Sequence, residues 1–395
     1  MKIGIVGLGA RSAVLAGRFR KIEPELKVVG YVDPFPARLE AMERLGFAPE
    51  PYDSIPDLVR AEQPDLLLIG SPNHLHLRHV EAALESGAPK IFVEKPVVVS
   101  REETLAMARL VARTQGEERL LVGLVLRHSP LYRLLREAQA RGWIGEVMSI
   151  EASEHIAPYH GSFFMRDWRR FTSLSGGFML EKCCHDLDLY QSVAGSRARR
   201  VASFGGRKRY LPEHAPAGRP AYLARMSPRW NGSEDAFSGE GDLIDYQTAL
   251  VEYESGATLA FHTNLNTPDE FRRFCVIGRT GMAEGDFVRN FFQATDAETG
   301  TRLFETREVQ PQGVPSQHYG ADDAMARDLL AHLRGEGDAP HVSVIDALEA
   351  GATALAMDEA RRESRLVDLA PFWSEFDAAL GRSRSPSPSR AGGAP

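Results

Sequence analysis

Met1-Lys-Ile-Gly-Ile-Val-Gly7-Leu-Gly9-Ala-Arg-Ser12 opens the chain, and its reading decides the fold. Lys2 to Val6 is a short apolar strand, and a helical pattern starts at Ala10 and runs to Lys21. Between them stand Gly7 and Gly9, placed where glycines permit a tight turn and let a pyrophosphate approach a helix N-terminus. Ser12 replaces the third glycine of the usual fingerprint, so Gly7 to Ser12 alone also reads as an ordinary turn at a strand end. Arg11 interrupts the apolar run and no small-residue cleavage site follows, which favours a strand over a signal peptide. The wider context strengthens the cofactor reading. Asp33 closes a second strand, Leu26 to Val32, at the spacing where a carboxylate accepts hydrogen bonds from the adenosine ribose hydroxyls. A carboxylate there repels a 2′-phosphate, so NAD is favoured over NADP. Asp33-Pro34 also reads as a turn or helix cap, and Arg11 or Arg38 keeps NADP open.

The alternation of strand and helix continues. Asp65 to Ile69, Lys90 to Val93 and Leu120 to Gly123 are further buried-type strands, with helices expected over 35–45, 75–86 and 101–114. Such a pattern predicts a parallel sheet covered on both faces, with ligands bound beyond the carboxyl ends of its strands. Two segments fall on that edge: Gly70-Ser71-Pro72-Asn73-His-Leu-His76 and Val93-Glu94-Lys95-Pro96. An ammonium at Lys95 is placed to polarise a substrate oxygen beside the nicotinamide; the competing reading is a surface lysine at a turn.

From about Val147 the pattern becomes that of an α+β domain on an antiparallel sheet. Tyr246 to Glu254 and Thr258 to Leu265 flank Ser255-Gly256, a hairpin signal, and Phe274 to Ile277 is another strand. Helices are expected over 322–334 and 344–361, and an irregular excursion over 210–241. Within this half, Ser175-Gly-Gly-Phe-Met-Leu-Glu181-Lys-Cys-Cys-His185-Asp-Leu-Asp188 concentrates titratable groups. A continuous helix there places Glu181, His185 and Asp188 on one face, where a carboxylate orients an imidazole. Equally, His185 reads as a packing histidine and Glu181 as a helix-surface carboxylate.

A chain of 395 residues exceeds one ordinary core, so two domains are expected: 1–125 for dinucleotide binding and 126–381 for substrate and oligomer contacts, with a low-complexity, disordered tail over 382–395. Hydrophobic content of 43% beside 26% charged residues is that of a soluble globular protein, and no apolar run approaches the roughly 18 residues of a spanning helix. The net charge of -7 argues against nucleic acid as a partner. Cys183, Cys184 and Cys275 form no disulfide framework, which suggests a reducing cytoplasm. No metal is expected, because adjacent cysteines share a tetrahedral ion poorly and Glu181-x-x-x-His185 is not a zinc motif.

Gly7-x-Gly9, Ser71-Pro72-Asn73-x-x-His76, Glu94-Lys95-Pro96, Arg127-x-Ser-Pro-x-Tyr132 and Gly176-Gly177 leading to Glu181-x-x-x-His185-x-x-Asp188 together resemble the glucose-fructose oxidoreductase, inositol dehydrogenase and MocA family. The resemblance covers nearly the whole chain before the tail. It implies a Rossmann domain followed by an α/β domain with a large, open-faced, mostly antiparallel sheet. Lys95 matches the family's catalytic lysine, whose bond to the next proline is typically cis, and His185 the proton-transfer histidine. Many members carry Asp at the position of Glu181. Gly7, Gly9, Ala10, Arg11, Ser12, Asp33, Ser71, Pro72, Asn73, His76, Glu94 and Lys95 are implied as cofactor-binding. Arg127, Trp168 and Arg169 join Lys95, Glu181 and His185 as candidates for substrate, with Tyr159 and His160 nearby.

The implied activity is an NAD(P)-dependent oxidoreductase moving a hydride between nicotinamide and a secondary hydroxyl of a sugar, polyol or inositol-like compound. His185 takes the proton, Lys95 stabilises the alkoxide and Glu181 orients the imidazole. Two other readings stand beside it: a redox-assisted glycosidase on the same scaffold, and a dinucleotide-binding regulator without turnover. An uncovered sheet face exposes more apolar area than a monomer tolerates, so a homodimer or homotetramer through that sheet is expected.

Overall fold

The computed structural model describes residues 1–218, 233–310, 318–337 and 342–382. The expected tail, from 383 onward, and the middle of the expected excursion, 219–232, lie outside the described residues. In the N-terminal half six parallel strands form one sheet in the order β3-β2-β1-β4-β5-β6. They are β1 (Lys2–Val6), β2 (Lys27–Val32), β3 (Glu50–Pro51), β4 (Leu66–Ile69), β5 (Ile91–Val93) and β6 (Leu120–Val122). All residues of β4, β5 and β6 are buried, as strands covered by helices on both faces must be. The strand order reverses beside β1, between β1 and β4, which leaves the ligand crevice at Gly7 and Gly70.

One expected helix is much shorter than its apolar pattern suggests. The span 35–45 is helical only over Leu39–Arg44, because Pro34 and Pro36 interrupt the pattern and Asp33 Oδ1 accepts the Phe35 amide at 2.7 Å in a turn. Phe35 is left 83% exposed beside the cofactor edge.

The second sheet has nine strands in the order β14-β13-β12-β11-β7-β10-β9-β8-β15. These are β7 (Val147–His155), β8 (Ala198–Gly206), β9 (Tyr246–Tyr253), β10 (Thr258–Asn264), β11 (Phe271–Gly278), β12 (Gly281–Asp286), β13 (Phe291–Asp296), β14 (Arg302–Thr306) and β15 (Val367–Asp368). β7 and β10 pair in parallel and the other neighbours are antiparallel. Side chains alternate across it: Val251, Phe261, Phe274 and Val276 point to the helix-covered face, whereas Phe204, Leu250 and Ile277 are exposed.

Helices Cys184–Ala194 and Val344–Glu363 pack together on the covered face. The last helices then return to the first domain. Ala321–Leu333 lies against Ala10–Ile22, and Val344–Glu363 and Ala370–Ala379 lie against Arg101–Thr114. Arg18–Asp323 at 2.7 Å and Arg101–Glu359 at 2.5 Å pin these contacts. The cleft between the domains is therefore walled by segments far apart in sequence.

Candidate active site

Gly7 has φ +85°, and a Cβ on it would lie 2.5 Å from the Ser71 amide nitrogen, so only glycine lets the loops after β1 and β4 touch. Ser12 takes the place of the third glycine by turning its hydroxyl onto the Gly7 carbonyl at 2.7 Å. Gly9 caps the helix Ala10–Ile22 without a side-chain bond, no acidic residue stands in the first turn, and a Cβ at Gly9 would meet nothing within 4 Å. An open, positively polarised helix end faces that space. Asp33 Oδ2 accepts the Leu8 amide at 2.6 Å, which holds the carboxylate at the end of β2. These residues fit a dinucleotide: a bare helix end for the pyrophosphate and a fixed acid for the ribose.

The two glycines are expected to separate on substitution. Gly7→Ala strains the turn and should cost about 1–3 kcal/mol of stability, read as a lower Tm, together with weaker NAD binding. Gly9→Ala should leave Tm unchanged while weakening NAD at least tenfold by calorimetry, since the added methyl occupies the ligand's approach. Equal losses in both measurements for both variants would contradict this division.

Arg11 lines the cleft, and its Nε donates to Glu94 at 2.7 Å and its Nη1 to Asp322 at 2.6 Å, so the guanidinium ties the two domains together there. It therefore offers no free charge for a 2′-phosphate. His76 is 1% exposed, and its ring nitrogens lie 2.9 Å from the Ser71 carbonyl and 2.7 Å from the Pro96 carbonyl. It braces the two ligand-edge loops from behind. The Lys95–Pro96 peptide is cis. Ser71 and Asn73 line the cleft with Glu94 and Lys95.

The expected continuous helix through Ser175–Asp188 is broken. Phe178–Glu181 and Cys184–Ala194 are separate helices joined by a turn at Lys182-Cys183. At the break the Glu181 carbonyl accepts from Lys95 Nζ at 2.5 Å. The Glu181 carboxylate accepts from Asn73 Nδ2 and lies 4.0 Å from Lys95 Nζ and 3.6 Å from Arg169 Nε. Glu181 thus anchors the lysine, asparagine and arginine and does not orient His185, a correction to the helical-face reading. Asp188 holds Arg127 through two bonds of 2.8 and 2.6 Å, beside the residues that line the cleft and not among them. The helix is buried on nearly every side, so each acidic residue on it needs its own cation: Arg127 for Asp188 and Arg272 for Asp186.

His185 is 3% exposed in the cleft, and its Nδ1 has no hydrogen-bond partner among the described residues. Burial, then the positive charge of Lys95, pushes its pKa well below the ordinary histidine range. The imidazole is therefore neutral near pH 7 and able to accept a proton. Across the cleft, the Arg169 guanidinium lies 4.3 Å from the Trp168 ring and 4.2 Å from the Phe163 ring. His160 completes that wall, whereas Tyr159 turns away to donate to Glu270 at 3.1 Å. Cys183 and Cys184 are buried in packing, with all three cysteines unpaired. Among the described residues no group of three or more His, Cys, Asp or Glu could hold a metal ion.

Sequence reasoning missed two titratable groups in the cleft. His318 lines it, with its ring centroid 5.9 Å from that of His185, and its Nδ1 lies 2.9 Å from Asp322 Oδ2. The spacing His318-x-x-x-Asp322 before an apolar helix was the available signal. Lys182, quoted within the titratable stretch but given no role, also reaches the cleft and pairs with Glu154 at 2.8 Å.

A Rossmann sheet whose ligand edge carries an open phosphate-binding turn and a lysine, joined to an open-faced sheet whose covering helix brings a neutral histidine to the same cleft, defines an NAD-binding oxidoreductase. Residues 1–123 match the family model described as "Oxidoreductase family, NAD-binding Rossmann fold", and residues 136–369 that described as "Oxidoreductase family, C-terminal alpha/beta domain". The chain belongs to this glucose-fructose oxidoreductase, inositol dehydrogenase and MocA family. It is 23% identical to YteT of Bacillus subtilis, named as an oxidoreductase, over 89% of this chain and 93% of that one. It is 28% identical to the scyllo-inositol 2-dehydrogenase (NAD(+)) of Bacillus subtilis, over 52% of this chain and 57% of that one. The solved scyllo-inositol dehydrogenase of Lactobacillus casei, with bound NAD(H) and scyllo-inositol, superposes with a TM-score of 0.71 at 21% identity, covering 94% of this chain and 99% of that one. At that identity the superposition speaks for the fold.

Proposed function

We propose that the protein transfers a hydride between a secondary hydroxyl of a sugar, polyol or inositol-like compound and nicotinamide. The observation that carries this reading is the meeting of the Lys95 ammonium and the neutral, buried His185 in one cleft at the ligand edge of the Rossmann sheet. NAD, when bound, supplies the hydride acceptor. His185 removes the hydroxyl proton, and Lys95, braced by the Glu181 carbonyl, stabilises the developing alkoxide. Asn73 and Arg169 hold the Glu181 carboxylate, and Trp168 and Arg169 form the wall against which a polyhydroxylated ring rests. The dehydrogenases of inositol among its relatives support the substrate class.

The test is to incubate the purified protein and NAD with a panel of sugars and inositols and follow NADH absorbance. NADH formed with one or more of them is the expected result. Demonstrated NAD binding with no NADH from any member would overturn the reading, and aglycone release without net NADH would replace it with redox-assisted glycoside cleavage.

The uncovered sheet face is read as the contact between copies of this chain. Phe204 is 75% and Leu250 55% exposed on adjacent strands, with Ile277 on the same face. A Phe204→Glu, Leu250→Glu double variant is expected to sediment as a smaller species than the wild type with its fold retained. A wild type that is monomeric at micromolar concentration would dispose of this interface. Among the described residues no helix is long and apolar enough to cross a membrane.

A further inference from the structure

His185 has a role in the reaction proposed above but no partner that would hold the charge it acquires. Lys95, Lys182, Arg272 and His318 all act against a positive charge on its ring, and no carboxylate bonds to it among the described residues. His318 is the opposite case. Tyr319 and Gly320, both at positive φ, turn the chain so that His318 lies over the start of the helix Ala321–Leu333, and its Nδ1 meets Asp322 Oδ2 at 2.9 Å. Asp322 is 1% exposed and also accepts from Arg11 at 2.6 Å. Burial alone would raise the pKa of this carboxyl, but His318 and Arg11 outweigh it and hold it well below the usual carboxylate range. It therefore stays ionised, and the carboxylate-oriented imidazole sought at Glu181 and His185 exists at Asp322 and His318.

We propose that His318, positioned by Asp322, is the second station of the proton path, receiving from His185 the proton taken from the substrate hydroxyl; this rests on the hydride-transfer reading of the cleft. Both rings line the same cleft with centroids 5.9 Å apart, a separation spanned by one bridging water or a small ring rotation. The hydroxyl O–H bond breaks and its proton binds one nitrogen of His185, while the other nitrogen of that ring releases a proton to His318. His185 ends neutral. The positive charge ends on His318 beside the Asp322 carboxylate, and the hydride leaves with the electrons of the C–H bond. Reduction runs the same path backwards. His318 acts through His185 and is a positioning and relay residue.

Burial lowers the His318 pKa and Asp322 opposes that shift, while Arg11 and Lys182 lower it further. Asp322→Asn removes the opposing charge, so His318 should remain unprotonated to lower pH. With the full-length protein, NAD and a turned-over polyol, His318→Gln is expected to lower kcat about 10²-fold while KM stays within threefold. Asp322→Asn is expected to move the acidic limb of the kcat profile to lower pH, a change that a merely structural role would not produce. A His318→Gln kcat within threefold of wild type, or an unmoved limb in Asp322→Asn, would overturn the proposal.

Nitrogen-15 spectra of the histidine rings in the resting protein give a readout without any substrate. His185 resonances should follow the His318 titration step in the wild type, shift with it in Asp322→Asn and lose it in His318→Gln, which keeps the Asp322–Arg11 pair. If His185 does not sense that step, the relay fails whether or not a substrate is known. A wild type inactive on every polyol but with coupled rings would fault the substrate reading alone.

Discussion

Lys95→Met is expected to lower kcat by about 10²- to 10³-fold, the loss typical of removing one preorganised donor from a developing oxyanion. The lysine follows β5, its Nζ is fixed by the Glu181 carbonyl at 2.5 Å, and its side chain keeps 20% exposure toward the cleft. Methionine keeps most of the apolar stem and removes the charge, so the core of the Rossmann domain should be undisturbed and Tm should change little. NAD should still bind, because Gly7, Gly9 and Asp33 are untouched. Lys95→Arg sharpens the test. A guanidinium restores the charge but its planar fork cannot reproduce a compact ammonium between a carbonyl and the reacting oxygen, so rescue should be partial. Steady-state rates of NADH formation, with NAD affinity measured separately, check both. A Lys95→Met kcat within tenfold of wild type would remove the lysine from the reaction.

Lys95 was legible in the sequence because local rules place it. A buried apolar run ending in Glu-Lys-Pro, in a chain of alternating strands and helices, puts the lysine on the ligand edge whatever the rest of the chain does. The same holds for Gly7, whose positive φ follows from the strand-turn-helix pattern, and for β9 and β10 around Ser255-Gly256. Where expectation failed, the cause was long-range. The spacing of Glu181 and His185 places both on one face only if the helix is continuous. The helix breaks at Lys182-Cys183, where Lys95, 86 residues upstream, bonds the Glu181 carbonyl. Arg127, a substrate candidate by resemblance alone, is paired with Asp188, 61 residues away in sequence. The His318-x-x-x-Asp322 spacing pairs those two residues with each other but does not place them at the cleft. Their place depends on the packing of Ala321–Leu333 against the first helix of the chain.

Arg272→Met should produce the largest loss of stability, about 3–5 kcal/mol, the range for breaking a buried ion pair from one side. Arg272 is 1% exposed on β11. It donates to Asp186 through bonds of 2.8 and 2.6 Å and meets Glu154 at 2.8 Å, so it joins β7, β11 and the helix that carries His185. Methionine leaves two buried carboxylates with Lys182 as their remaining close cation. The pH dependence has a definite sign. Burial raises the Asp186 pKa even with Arg272 present, whereas at Glu154 burial is outweighed by Arg272 and Lys182 and the pKa is lowered. Removing the cation raises both in the folded state, so protonation relieves the variant at acid pH and its deficit grows as pH rises through the raised pKa values. Melting of Arg272→Met and wild type at mildly acidic and neutral pH should therefore show a wider gap at neutral pH. Arg273→Met supplies the control. Arg273 is the next residue, on the exposed face, 55% exposed and paired to Glu151 at 3.3 Å, and its loss should change stability by no more than about 0.5 kcal/mol. If the two variants melt alike, the buried network does not hold the helix that carries His185 in place. If Arg272→Met melts low but its deficit does not vary with pH, the lost stability comes from packing of the long side chain and not from the stranded carboxylates.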